Sequence, residues 1–270
     1  MANLPIITLT SDQGLKDPYV AMVKGSIYSE LPEARIVDIS HQIQAFNLHQ
    51  AAYILGRAYR AFPEGTVHII GVDAVLHSDK PHIALKCNGH FFVGNDNGIF
   101  SLLFPDTRPE QMVVLKIGRD DDAHTFPMND LFVRAACHLA RGGQLGVIGD
   151  PWPEWTELSA LKPIISENRS IRGAIIYFDE YGNAVTNISY DLIRKTGGSK
   201  SLEIILPRSQ RITKIGFDYE SGAQDGKATA VINSAGLMEI SLFRGVPNHS
   251  GTAESLLGLK YRDPIQVHFK

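Results

Sequence analysis

Cysteine is scarce in this chain: 270 residues contain two, Cys87 and Cys137. They form neither a CxxC pair nor a disulfide framework, which points to a reducing compartment. No block of Lys or Arg stands out, and 26 basic against 29 acidic residues leave a formal charge of −3. A nucleic-acid footprint or a polybasic membrane patch is therefore not expected. No apolar run approaches bilayer length. The opening MANLPIITLT lacks the charged segment and long apolar core of a secretory signal. GxGxxG, Walker A, GxSxG and HExxH motifs are all missing, so dinucleotide, P-loop, serine-hydrolase and zincin readings lose their main support. The ten histidines are scattered without metal-ligand spacing, and no metal site is expected. A histidine inside a strand, such as His68, reads as a packed residue. These absences leave a cytoplasmic protein acting on a small molecule or a protein partner, with neither nucleic acid nor membrane involved.

What is present is ordinary for a soluble globular protein: 44% hydrophobic and 20% charged residues. The first half alternates strand and helix signals. PIITLTS (5–11), RIVDIS (35–40), TVHIIGVD (66–73), HIALKC (82–87), HFFVGN (90–95) and QMVVLK (111–116) read as strands. Val20, Val23, Ile27 and Leu31 recur at helical spacing after Asp17, a candidate N-cap, and Pro18. Leu48 to Phe62 and 130–143 give two further helices. This alternation predicts an α/β domain, doubly wound with a mostly parallel sheet. In such sheets ligands lie beyond the carboxyl ends of the strands, where Asp12 and Asp73 both stand.

Composition changes after PWPEWTEL (151–158). From Ile171 onward strand signals are separated by turns: GAIIYF, SLEIIL, TKIGF, ATAVI, LMEISLF and PIQVHF. AESLLGL (253–259) has room for one or two helical turns, and NSAG (233–236) suits a hairpin. The expected organisation is an N-terminal domain over 1–163, a linker over 164–170 and a smaller all-β domain over 171–270.

Polar turn motifs carry the remaining chemistry: SDQGLKDPY, GVD, GNDNG, FDEYGNAVTN and INSAG. Asp, Asn, Ser and Gly favour turns on their own account, yet five such motifs together also suit a ligand with hydroxyl, amine and carboxylate groups. Their order is distinctive. SDQGLKDPYVAMVKG resembles SDFGxxDxYVGxxKG, and RIVDISHQI resembles IVDITHxI. AAYILGRAYRAFPEGTVHIIGVD is similar to AxxL…FPxGTVHxxVVD. FVGNDNGIFSLL is similar to FVxPDNGLLS, DEYGNAVTNI to DxFGNxxTNI, and INSAGLMEIS to xNSxGxLEIA. These patterns belong to the S-adenosylmethionine hydroxide adenosyltransferases and their relatives, the fluorinating and chlorinating enzymes.

The resemblance implies hydrolysis of S-adenosylmethionine to adenosine and methionine, without a cofactor. It also implies a homotrimer, with the nucleoside held between the N-terminal domain of one subunit and the C-terminal domain of its neighbour. Carried over by position, Asp12 would bind the ribose hydroxyls, Asp17 the methionine end and Phe126 the ribose side. Asp179 and Ser234 would hold the amino acid portion. Asn183 would reach the adenine edge beside the Tyr181 ring. Departures fall at the chemistry. The hydrolase pattern DPGVG[ST]xR reads DAVLHSDK here, keeping Asp73 but placing Lys80 where Arg stands. TFHGRD reads TFPMND, with Pro127 in place of His. Met128 stands where the halogenating relatives have a small residue. Asp73 and Lys80 are the remaining candidates for handling water, with His77 and His124 as possible substitutes for the lost imidazole. A binding module that has lost turnover, or an enzyme with another nucleophile, are the competing readings.

Overall fold

The computed structural model describes residues 4–75, 79–117, 125–166, 170–220, 227–245 and 251–270. It divides into two compact units, residues 1–160 and 161–270. In the first, strands β1 (Ile6–Ser11), β2 (Arg35–Ser40), β3 (Val67–Gly71), β4 (His82–Cys87), β5 (His90–Asn95), β6 (Gln111–Leu115) and β7 (Gly149–Pro151) form one sheet. Its order is β2-β1-β3-β5-β4-β6-β7. Helices α1 (Tyr19–Glu30), α2 (Leu48–Ala58), α3 (Ile99–Leu103), α4 (Val133–Ala140) and α5 (Leu145–Ile148) accompany it. One apolar cluster joins β1 and β3 to Val23, Ile27, Phe132 and Ala136. A second cluster, containing Ile70 and Phe92, takes in Ala51, Leu55, Tyr59 and Phe100. Two separate clusters on one sheet are why β1 and β3 are almost wholly buried.

The expectation of a mostly parallel sheet is corrected. The β1–β2, β1–β3 and β3–β5 pairings are parallel, but β4–β5, β4–β6 and β6–β7 are antiparallel. The cause is local. Asn88 and Gly89 both adopt left-handed φ, 51° and 76°, as a two-residue hairpin turn requires. So short a loop can only return the chain antiparallel. As a result, β4 begins at the edge of the sheet where β1, β3 and β5 end.

Helix α1 starts one residue later than expected. Pro18 is its cap residue and makes no side-chain bond, so Asp17 is not the N-cap. Helix α2 is capped by Asn47, whose side chain accepts from Gln50 N. The predicted 130–143 helix begins earlier, with a π turn over Met128–Phe132. There the Phe126 carbonyl accepts from both Asn129 N and Asp130 N, each at 3.0 Å.

The second unit contains β8 (Ile164–Ile165), β9 (Ile171–Phe178), β10 (Ala184–Ser189), β11 (Leu202–Ile205), β12 (Arg211–Ile212), β13 (Ile215–Gly216), β14 (Ala228–Ile232), β15 (Leu237–Leu242) and β16 (Pro264–Phe269). The sheet runs β12-β11-β16-β9-β10-β15-β14-β13, with β8 paired to β9. Two expectations change here. Ile164 and Ile165 pair with Arg172 and Ile171, so they belong to this sheet and not to a linker. The unit is also not purely β, because α6 (Tyr190–Gly197) follows β10. Ser189 caps it by accepting from Leu192 N, and Gly198 ends it at φ 62°. AESLLGL forms turns and no helix.

His68 is fully buried in the first unit. Its Nδ1 lies 2.7 Å from Thr8 Oγ1 and its Nε2 lies 3.2 Å from His90 Nδ1. Burial, reinforced by His90, pushes its pKa from 6.5 down to about 3. The folded state thus keeps His68 neutral while the unfolded chain protonates it below 6.5. Stability from this site is complete above pH 6.5 and is lost as pH falls toward 3. Urea unfolding at pH 6.5 and 4.5 should show a loss of about 2 kcal/mol, at about 1.4 kcal/mol per pKa unit. His68→Phe should remove that part of the pH dependence. An equally steep profile in the variant would mean another group is responsible.

Candidate functional site

The polar residues of the first unit converge on one edge of its sheet. Asp12 follows β1, Asp73 follows β3 and Asn95 ends β5. Asp12 Oδ2 accepts from Phe46 N at 3.0 Å and from Asp73 N at 3.3 Å. Both donors sit in left-handed backbone, Phe46 at φ 64° and Asp73 at φ 47°, which costs a non-glycine residue about 1–3 kcal/mol. A single carboxylate oxygen therefore pins the β2–α2 connection and the turn after β3 together.

The β1 end is held from the other side. Ser11 Oγ lies 2.7 Å from His41 Nδ1, and Gly14 N donates to His41 O at 2.8 Å. His41 Nε2 faces Asp38 Oδ1 at 3.1 Å, and Asp38 also pairs with Lys24. Burial pushes the Asp38 carboxyl up, but the hydrogen bonds from Lys24 and His41 outweigh it and leave its pKa below the ordinary value.

Asp96 is buried between two asparagines. It accepts from Trp152 Nε1 at 3.1 Å and Thr156 N at 2.7 Å. Burial dominates and raises its pKa despite these bonds. Gly98 has φ 100°, and any side chain there would run into Leu158, so only glycine carries the chain from β5 into α3.

Three buried side-chain oxygens lack a hydrogen-bond partner among the described residues: Thr10 Oγ1, Gln13 Oε1 and Asn95 Oδ1. All three stand at or just beyond the carboxyl ends of β1 and β5. Buried acceptors left unpaired call for an explanation such as a ligand or ordered water, and their placement marks this edge as the candidate site. Lys80 stands half-buried just before β4, and the strand reversal puts it at the same edge. Phe126 meets Tyr19 edge-on, with ring centroids 5.2 Å apart, close to the exposed Asp17. Pro127 and Met128 are buried. The Met128 thioether packs where Gly71 leaves room for it, so the small-residue space expected of a halide site is filled. His77 and His124 lie outside the described residues.

In the second unit the β9–β10 loop presents Asp179, Tyr181 and Asn183. Asp179 and Asn183 grip each other. Asn183 donates its backbone N–H to Asp179 Oδ1 at 2.8 Å and its Nδ2 to Asp179 Oδ2 at 2.9 Å. Tyr181 is 72% exposed. Ser234 lies elsewhere, in the β14–β15 turn that Asn233 Oδ1 closes by accepting from Ala235 N and Leu237 N. Strand pairing matches Ala184 with Ile240 and Ser189 with Leu237. Asp179 and Ser234 therefore occupy opposite ends of the β10–β15 pair, about 15 Å of strand apart.

Sequence reasoning missed His41, Phe46, Asn95 and Asn97. The asparagines lay in the GNDNG motif already singled out. Nothing in the local sequence linked His41 to Ser11, or Phe46 to Asp12. Among the described residues no group of His, Cys, Asp and Glu could hold a metal ion, and no helix is long and apolar enough to cross a membrane.

An α/β unit with a polar carboxyl edge, followed by a mostly antiparallel β unit, defines a class of two-domain small-molecule proteins. The profile of the SAM hydroxide adenosyltransferase N-terminal domain matches residues 7–149, and that of the C-terminal domain matches 173–266. The chain belongs to this family. It is 28% identical to an (R)-S-adenosyl-L-methionine hydrolase of Methanocaldococcus jannaschii, covering 98% of this chain and 96% of the relative. It is 31% identical to the protein of that name from Thermus thermophilus, with 95% and 97% covered. A fluorinase of Nocardia brasiliensis is 22% identical over 88% and 90%. Among solved structures, an uncharacterized conserved protein from Thermotoga maritima superposes with a TM-score of 0.85 at 27% identity, covering 97% and 99%.

Asp12→Ala leaves the Phe46 and Asp73 N–H groups without their acceptor. It should lower the unfolding free energy by about 1–3 kcal/mol, read by chemical denaturation. An unchanged value would mean that water replaces the carboxylate at no cost.

Proposed function

We propose that this chain hydrolyses S-adenosylmethionine to adenosine and methionine. The observation that carries this is the carboxyl edge of the first sheet. There Asp12 and Asp73 stand together beside unpaired buried oxygens, in a chain related along its whole length to named hydrolases of that substrate. The relatives' names specify the R configuration, and we extend that preference to this chain.

In this reading water attacks the 5′ carbon. A C–O bond forms as the C–S bond breaks, and sulfur keeps the bonding pair. Methionine departs as a neutral thioether, so no general acid is needed. The water loses one proton, taken up by the Asp73 carboxylate and passed to solvent. Asp73 orients the water, and Lys80 supplies charge at the same edge. Attack by a hydroxide-like oxygen on a sulfonium destroys charge, which a water-poor site favours, and positioning supplies much of the acceleration. Asp12 Oδ2 is occupied by backbone N–H groups, which leaves Oδ1 to accept from a ribose hydroxyl. Phe126 lines the ribose side and Asp17 takes the methionine end. In the second unit, Asp179 and Ser234 hold the amino acid portion, and Asn183 reaches the adenine edge beside the Tyr181 ring. No cofactor enters this scheme.

We further propose a homotrimer with each site shared between neighbouring subunits. Leu15, Tyr19, Met22, Phe46 and Val75 are exposed, in loops following β1, β2 and β3 or in the first turn of α1. Apolar groups crowded at one edge fit a partner surface. A cytoplasmic location fits the two free, buried cysteines. Light scattering should give three times the 29.7 kDa protomer mass.

One observation favours the alternative of binding without turnover: buried Pro127 offers no side-chain hydrogen bond where the resembling hydrolases carry His. Incubation of purified protein with S-adenosylmethionine decides between them. Adenosine and methionine in equal amounts support hydrolysis. Calorimetric binding without adenosine overturns it. In the active enzyme, Asp73→Asn should lower kcat by about 10-fold or more while leaving KM within about threefold. An unaltered kcat would move the water-handling role elsewhere.

A further inference from the structure

The turn carrying Asp73 cannot hold itself. Asp73 is left-handed at φ 47°, and there is no glycine between it and Lys80 to absorb the change of direction. Its backbone carbonyls are held by side chains of neighbouring strands. Asn97 Nδ2 donates to Val72 O at 3.1 Å and to Asp73 O at 3.0 Å. Asn95 Nδ2 donates to Asp73 O at 3.1 Å and to Val75 O at 2.8 Å. His82 Nε2 lies 3.0 Å from Ala74 O. Every carbonyl from Val72 to Val75 is thus engaged, and all the donors come from the adjacent β4 and β5 ends, where His82 and Asn95 are register partners.

Asn95 is the centre of this clamp. It is 1% exposed, and its amide orientation is fixed because only the NH2 end can serve two carbonyls. Proline, which the resembling pattern FVxPDNG carries at this position, has no donor to offer. We infer that Asn95 is a positioning residue: its carboxamide, with Asn97 and His82, sets the Asp73 turn so that the carboxylate faces the reacting water. Its effect on the reaction runs through Asp73, by way of the Nδ2 bonds to Asp73 O and Val75 O. The inference rests on the hydrolase reading for its catalytic consequence, but the clamp itself can be measured without turnover.

The test uses the full-length protein with Asn95→Ala and Asn95→Asp. The second variant keeps the shape but sets a carboxylate against two carbonyl oxygens. Both should lower kcat by about 10- to 100-fold, the scale of a misplaced catalytic group, with KM for S-adenosylmethionine within about threefold. His68→Phe, remote from this edge, gives the loss that destabilisation alone produces. A kcat for the Asn95 variants no lower than that control overturns the inference, as does a parallel rise in KM. Hydrogen exchange supplies an arm independent of chemistry. The Asp73 amide, which donates to Asp12, should exchange at least about tenfold faster in Asn95→Ala, with β1 and β3 amides unchanged. Equal Asp73 exchange overturns the clamp even if the wild type is inactive. Faster exchange with no adenosine from the wild type would keep the clamp and remove only the hydrolase reading.

Discussion

One carboxylate oxygen organises the first unit's functional edge. Asp12 Oδ2 receives the N–H groups of Phe46 and Asp73, two residues held in a backbone region that disfavours side chains. Neither turn is stable in that conformation for local reasons. The Asp12 carboxylate at the end of β1 draws both donors to one point, and the Asn95, Asn97 and His82 side chains hold the Asp73 turn from its carbonyl side.

The surrounding network extends the same logic outward. His41 anchors the β1 end through Ser11, and Asp38 with Lys24 holds His41. Asp96 reaches the other way, tying the GNDNG segment to Trp152 and Thr156. Side-chain hydrogen bonds therefore brace the loops from both flanks of the sheet. The strands supply a rigid platform and the polar side chains determine where the loop backbones run. Against that background the unpaired oxygens of Thr10, Gln13 and Asn95 stand out, because nearly every other buried polar side-chain atom nearby is satisfied.

The second unit solves a different problem. Two of its turns are closed by their own side chains: Asp179 with Asn183, and Asn233 with its turn amides. Buried Glu239 accepts from Tyr219 and Asn233, fixing the base of the Ser234 turn. Local closure leaves Tyr181 and Ser234 exposed on preformed turns.

Much of this was legible in the chain itself. Near-continuous apolar runs and period-3.6 patterns marked most strands and helices of the first unit, because a sheet covered on both faces buries whole strands while a helix buries one face. The place of Asp12 and Asp73 at the carboxyl edge of the sheet was legible because strand ends are visible in sequence. The Asn88–Gly89 turn was equally visible and, once weighed, makes β4 run against β5 and β6. Helix α6 had its signals too, a serine cap and paired glycines, but it is short and amphipathic only over two turns. What the tertiary structure alone decided are the contacts between residues far apart in the chain: Asp12 with Phe46, Ser11 with His41, Asn95 with the Asp73 turn, and the separation of Asp179 from Ser234. Such contacts depend on strand order and register, and these are set by the packing of the whole sheet, which no local stretch of sequence encodes.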